Sequence, residues 1–267
     1  MALAIELLPP GTRDPGGALT ADEWRSDAFD FWAFDRRVDE LHARGASLFV
    51  LASGEHALAV REQIAIRTQR LAGRRNVHSD SSWFTRVLGT HRALHDVTKP
   101  LVRADFDHAL DTWQWTLRLD PNASAAVQLA ALLHDIERLG SEPDVRIEQH
   151  ARDYQAFKDA HARGGADLAR GILERSGVPS AICRATCELV AVHERAHGSG
   201  ARRAVSDADA LSFFSLNSPG YLAYFGPEQT ASKVAYTHAR MSPRARRWLA
   251  SLRVPEAVLR HLPATRS

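Results

Sequence analysis

The chain has 267 residues, 45% hydrophobic and 25% charged, an ordinary globular balance that excludes a mainly disordered protein. Its 34 Lys+Arg face 32 Asp+Glu, a formal net charge of +2, too even for a protein whose main task is to coat nucleic acid. No run reaches the roughly 18 apolar residues of a membrane span, the start MALAIELLPPGTR lacks a basic n-region, and Cys183 and Cys187 are too few for a disulfide framework; together these point to a cytoplasmic protein.

In chain order, Pro9, Pro10, Gly11, Pro15, Gly16 and Gly17 make a turn-rich leader. Thr20 or Asp22 is placed to cap a helix to about Ala46, with Trp24, Phe29, Phe31, Trp32 and Phe34 on or near one stripe. Leu48–Leu51 is a short apolar run whose period does not separate helix from strand. After Gly54, EHALAVREQIAIRTQRLAG reads as an amphipathic helix closed by Gly73, and Trp83–Val97 as another before Pro100. Further helices are expected over Phe106–Leu119, Ser124–Leu139, Ala151–Ser176 (with a break near Gly164-Gly165), Ser180–Ala196, Val205–Phe214, Glu228–Arg240 and Pro243–Leu252. Series of alternating Val/Ile/Thr runs are missing, so the expected fold is all-α. The expected organisation is a helical N-terminal extension over 1–99, a core over 100–215, and a C-terminal helical segment over 216–267 packing on that core.

The 13 histidines are the unusual entry in the composition. In ASAAVQLAALLHDIERL, residues 127–133 are apolar apart from Gln128, so the helix is expected to be buried and to deliver His134-Asp135 at its end. An imidazole and a carboxylate there are costly unless paired, hydrogen-bonded or bound to metal. The pattern recurs: His108 in DFDHALDTWQWTLRL, His161 before the small residues of ARGGADLA, His193 at the end of CELVAVHE, and Asp207 and Asp209 in VSDADALSFF. Taken singly, each is ordinarily a satisfied or surface residue; as an ordered series they place metal-capable side chains beside apolar faces.

That order, His, His-Asp, His, His and Asp, resembles the HD-domain superfamily of metal-dependent phosphohydrolases. The matching residues are His108, the His134-Asp135 doublet in LLHDIERL, His161 in HARGGADLARGIL, His193 in LVAVHE and Asp209 in DADAL. The similarity covers roughly residues 100–215. It departs where many members read Gly-Lys after HD-I and this chain has Glu137-Arg138. The resemblance implies an HD-domain-like helical bundle in which His108, His134, Asp135 and Asp209 hold one divalent metal and Asp135 bridges to a second held by His161 and His193. One or two ions of Fe, Mn, Co, Ni or Zn suit such ligands.

The implied activity is hydrolysis of a small phosphate ester, a nucleotide or sugar phosphate, by metal-bound hydroxide. The cations placed to meet its oxygens are Arg138 and Lys158, with Lys233 and Arg240 from the late helix; the plain alternative for each is a solvated surface charge. The loop carrying Arg146, Glu148 and His150 is placed to line the entrance, or to be plain surface. The same six-residue pattern also occurs in HD-fold diiron oxygenases that cleave C–C or C–P bonds with O2 through a mixed-valent iron pair. Some of those carry a Tyr shortly before the first His, and here there is none between His91 and His108. A third reading is a non-catalytic module that binds a phosphorylated ligand. Cys183 and Cys187 read as packed thiols, and the N-terminal aromatic cluster as core or a face for a homo-oligomer.

Overall fold

Pro100 occupies the first turn of a long helix with many buried residues, where its fixed φ suits a helix start and its missing N–H costs nothing. The computed structural model describes residues 81–120, 122–195, 199–250, 252 and 254–262, together with the backbone of 4–8 and 47–51. Within it, β1 (Ala4–Leu8) and β2 (Ser47–Leu51) pair antiparallel, Ala4 opposite Leu51. This settles the ambiguous 48–51 run as strand and adds a strand, Ala4–Leu8, that the sequence reading did not foresee. The helices expected around Asp22–Ala46 and Glu55–Gly73, and the aromatic cluster, lie outside the described residues.

The rest is helical, as expected. The described helices are α1 (Ser82–Leu94), α2 (Pro100–Leu119), α3 (Ala125–Leu133), α4 (Arg138–Ser141), α5 (Tyr154–Arg175), α6 (Ser180–Val190), α7 (Ala201–Ser212), α8 (Ser218–Arg240), α9 (Pro243–Leu249) and α10 (Glu256–Leu259). A five-residue π-helical segment, Phe213–Asn217, joins α7 to α8.

Every residue of α3 is buried. Ser124 caps it by accepting from the Val127 N–H, and its one polar member is satisfied: the Trp113 indole donates to Gln128 Oε1 (3.2 Å) while Gln128 Nε2 donates to the Ala123 carbonyl (2.9 Å). Around it, Phe106, Leu110, Trp113 and Leu117 of α2, Ala169, Ile172 and Leu173 of α5, and Cys187 and Val190 of α6 form one apolar cluster. A second cluster joins Trp115 and Leu119 of α2 to Ala208 and Leu211 of α7, Val234 of α8 and Leu249 of α9. The second cluster seats the C-terminal helices against the same α2 and α7 that carry His108 and Asp209.

Several boundaries differ from expectation: α2 begins at Pro100 rather than Phe106, α7 at Ala201 rather than Val205, and α6 ends at Val190 rather than Ala196, which leaves His193 in a turn. The segment expected as one helix to Leu139 stops at Leu133, so His134-Asp135 stands in a turn before the short α4. No break occurs at Gly164-Gly165; α5 runs through them. A Cβ at Gly165 would lie 3.3 Å from the His134 carbonyl oxygen, so glycine there lets α5 approach the doublet closely. Helix α8 begins ten residues early, at Ser218 rather than Glu228, and bends at Gly226, whose φ of 79° only glycine adopts readily, followed by Pro227. The run expected over Pro243–Leu252 ends at Leu249, and α10 follows unforeseen.

Candidate metal centre

The six side chains expected to share a centre converge. His108 comes from the third turn of α2, His134 and Asp135 from the turn after α3, His161 from α5, His193 from the turn after α6, and Asp209 from α7. His108 Nε2 stands 3.2 Å from Asp209 Oδ1 and 3.3 Å from His134 Nε2. His134 Nε2 lies 3.7 Å from both Asp135 Oδ2 and Asp209 Oδ1. On the other side of the same carboxylate, Asp135 Oδ1 is 2.9 Å from His161 Nε2 and 3.8 Å from His193 Nε2. Asp135 thus presents one oxygen to each half of the cluster.

The second nitrogen of each ring explains this convergence. His134 Nδ1 donates to the Ala131 carbonyl at 2.9 Å, and His193 Nδ1 to the Val190 carbonyl at 2.8 Å. His161 Nδ1 donates to Glu137 Oε2 at 2.7 Å. His108 Nδ1 lies 2.8 Å from Ser212 Oγ, whose hydroxyl is itself directed to the His108 carbonyl, so the serine oxygen accepts from the ring. Each imidazole is held by Nδ1 in an orientation and tautomer that leave Nε2 for the centre, the arrangement typical of metal-ligating histidines.

Two observations test whether a cation fits. The Nε2 atoms of His108 and His134, 3.3 Å apart, would face each other lone pair to lone pair in two neutral rings, an arrangement that calls for a shared positive charge. His193 Nε2 is buried with no hydrogen-bond partner, a costly state unless something else engages the lone pair. By geometry, two groups offer ligand atoms within 4.8 Å of one another: His108, His134 and Asp135, and Asp135, His161, His193 and Glu194. Buried imidazole and carboxylate groups at this spacing are compatible with a metal ion.

Electrostatics agree. Burial disfavours a charged His134, but Asp135 and Asp209 outweigh it and lift its pKa to about 9. Burial and the neighbouring imidazoles push His193 down to about 4 against the pull of Glu194. Burial opposes ionisation of Asp135, yet Arg138, His134 and His161 hold its carboxyl well below the usual range. With protons alone, burial is outweighed by the carboxylates at His134 and His161, which are pushed toward the charged form, while it pushes His193 toward the neutral one.

The four cations of the sequence reading all line a cavity beside this cluster, with a volume of about 90 Å3. That exceeds several-fold the roughly 10–15 Å3 one water needs. None is a solvated surface charge: Arg138, Lys158 and Arg240 are buried and Lys233 nearly so. Arg138 differs from the rest. Its Nε donates to Asp135 Oδ2 at 3.0 Å and its Nη1 to Glu142, so it holds the Asp135 carboxylate in place. Lys158 sits one turn before His161 on the same face of α5, as its spacing predicts, and its Nζ lies 2.7 Å from Glu194 Oε1 and 3.4 Å from Glu148 Oε2. Lys233 approaches Glu148 at 4.0 Å, and Arg240 Nη1 donates to Glu194 Oε2 at 2.9 Å. The Gly226 bend lets both halves of α8 contribute, Tyr221 and Phe225 before it and Lys233, Thr237 and Arg240 after it. Phe213 and Asn217 enter from the π-helical segment, a distortion often found at functional sites.

The loop after α4 is part of this wall. Arg146 makes a two-pronged pair with Asp105 (2.7 and 3.1 Å), and Glu148 accepts from the Tyr221 hydroxyl at 3.1 Å. Asp207, two residues before Asp209, instead accepts from Ser242 N and Oγ and so fixes the start of α9. Sequence reasoning missed Glu194 and the role of Glu137. Glu194 follows His193 directly and carried no spacing signal of its own; Glu137 stood out only as the residue replacing a glycine.

Residues 90–261 match the model of a family described as Domain of unknown function (DUF4202). No curated protein and no solved structure matches the chain significantly.

Proposed function

Since the chain belongs to the DUF4202 family, a membership that brings no activity with it, we propose from the site that it is a metal-dependent phosphohydrolase with an HD-type centre, acting on a small phosphate ester. His108, His134, Asp135 and Asp209 hold one divalent transition metal, and Asp135, His161 and His193 a second. When bound, such ions supply Lewis acidity: they acidify water and draw charge from phosphoryl oxygens. The chain's own residues do the rest. Lys158, Lys233 and Arg240 line the cavity with cations for the non-bridging oxygens. Arg138 is a positioning residue, fixing Asp135 through its Nε. Glu137 and Ser212 keep the His161 and His108 rings aimed. Phe213, Tyr221 and Phe225 form the apolar wall that borders the organic part of the substrate.

One observation carries this reading: four imidazoles locked at Nδ1 and open at Nε2 around a single carboxylate, in a cavity lined by cations. An anionic substrate is thereby held locally, consistent with a chain of formal charge only +2. The test is metal analysis and EPR on aerobically and anaerobically purified protein, with phosphate release measured from nucleotides and sugar phosphates. Bound Mn, Co, Ni, Zn or Fe with phosphate release supports the proposal. A mixed-valent iron signal with O2 consumption and no phosphate release overturns it in favour of an oxygenase.

A further inference from the structure

Glu194 is buried between two kinds of partner. Its Oε1 lies 2.7 Å from Lys158 Nζ and 3.7 Å from His193 Nε2, and its Oε2 accepts from Arg240 Nη1 at 2.9 Å. His193 Nε2, the buried nitrogen without a hydrogen-bond partner, is flanked by Glu194 Oε1 at 3.7 Å and Asp135 Oδ1 at 3.8 Å. Three of the four side chains around that gap (Asp135, His161 and His193) already belong to the second metal position, and the fourth is Glu194. It is also the main counter-ion of two cations that line the cavity, Lys158 and Arg240.

We propose that Glu194 is a fourth protein ligand of the second metal position, and that its engagement by the metal frees Lys158 and Arg240 to bind the anionic group of the substrate. This rests on the metal-centre reading above and assigns it one further residue and a coupling. Charge balance gives the mechanism. The cavity is lined by five cations, Arg138, Arg146, Lys158, Lys233 and Arg240, and five carboxylates, Asp105, Asp135, Glu148, Glu194 and Asp209. With those charges matched, the cations are neutralised and an entering anion finds no net attraction. A dication beside Glu194 Oε1 takes over the carboxylate's charge and repels the Lys158 ammonium, which is too buried to be neutralised by water. Its remaining counter-ion, Glu148, is 3.4 Å away and is shared with Lys233 and Arg138. An anion in the cavity satisfies Lys158 and Arg240 together. By linkage, the anion must tighten the metal by the same factor that the metal tightens the anion.

The experiment titrates Mn2+ into the full chain by calorimetry, and inorganic phosphate into the Mn2+-loaded and chelator-treated forms, for wild type and Glu194→Gln. Wild type is expected to bind two Mn2+, and phosphate at least tenfold more tightly when loaded. In Glu194→Gln one Mn2+ equivalent weakens by at least ~10-fold, while the chelator-treated variant binds phosphate more tightly than chelator-treated wild type, because its cations have lost their counter-ion. A merely structural Glu194 would not produce that opposite pair of effects. If Glu194→Gln does not fold, Glu194→Asp keeps the charge but withdraws the oxygen from His193, and the same loss of one Mn2+ equivalent is expected. Two Mn2+ bound with unchanged affinity in the variant, or phosphate binding unchanged in its chelator-treated form, overturns the role of Glu194 and leaves the metal centre standing. A wild-type chain that binds no Mn2+, Zn2+ or Fe2+ overturns both.

Discussion

Asp135 Oδ1 lies 2.9 Å from His161 Nε2, although the two residues are 26 positions apart and sit on different elements. The contact closes the two halves of the cluster around one carboxylate, and it depends on α5 passing close to the end of α3. Replacing Asp135 by Ala removes the carboxylate shared by both halves. The expected outcome is loss of metal retention after dialysis, measured by elemental analysis, together with loss of phosphate release. Full activity in that variant would refute the site.

Glu137 holds the far side of the same ring. Glu137→Ala leaves the proposed ligands in place but frees His161 to rotate, so metal affinity is expected to fall by about 10–100-fold, the usual cost of losing an outer partner. Glu137→Gln, which still accepts from Nδ1, should recover much of it. Equal losses in both variants, measured by competition with a fluorescent chelator, would point to backbone disturbance instead.

Arg138 and Lys233 both line the cavity, yet their removal should read differently. Arg138 is buried against Asp135, Glu142 and Glu148, so Arg138→Ala removes a cation shared by three buried carboxylates and is expected to destabilise the fold by about 3–5 kcal/mol. Metal affinity falls with it, for every substrate alike. Lys233 pairs with Glu148 at 4.0 Å and lies 5.9 Å from the Phe213 and Tyr221 rings, so Lys233→Ala should lower the melting temperature far less than Arg138→Ala while raising KM for phosphorylated substrates. Thermal melts and steady-state kinetics on the two variants separate these outcomes.

His134 ties stability to pH. Its pKa rises from an ordinary 6.5 to about 9 against the pull of burial, because Asp135 and Asp209 outweigh it. A raised value in the folded state stabilises fully below the unfolded pKa and is lost as pH rises through the folded one. The chelator-treated chain should therefore melt at progressively lower temperature between pH 6.5 and 9. With a cation in place of the proton, that decline should be much shallower. Parallel slopes with and without metal would show that no metal replaces this proton.

Glycines test the approach of α5. Gly165→Val drives methyl groups toward the His134 carbonyl, already 3.3 Å from a first carbon, and toward Val190. A loss of about 1–3 kcal/mol is expected from overpacking, with weaker metal binding. Gly89→Ala in α1 meets nothing within 4 Å and should stabilise by about 1 kcal/mol through helix propensity alone. Denaturant titrations with and without Mn2+ read both effects.

The sequence by itself determined the helical fold over the described core and the burial of α3, because apolar periodicity is a local signal; the six side chains that meet are singled out by the ordered His, His-Asp, His, His, Asp pattern through its resemblance to HD-domain proteins. It also placed Lys158 correctly, since one turn of helix fixes its relation to His161. Choosing Asp209 over Asp207 by motif register agrees with the geometry. What only the tertiary structure decided is who pairs with whom. Arg138 looked like a substrate cation and holds Asp135; Glu137 looked like a departure and orients His161; Glu194 looked like nothing and stands between Lys158, Arg240 and His193. The Gly226 bend that turns both halves of α8 toward the cavity, and the pairing of β1 with β2, were equally invisible. The physical reason is common to all of them: helix period fixes the face a residue occupies, whereas its partner depends on which other helix packs there, and that choice is made by contacts distant in sequence.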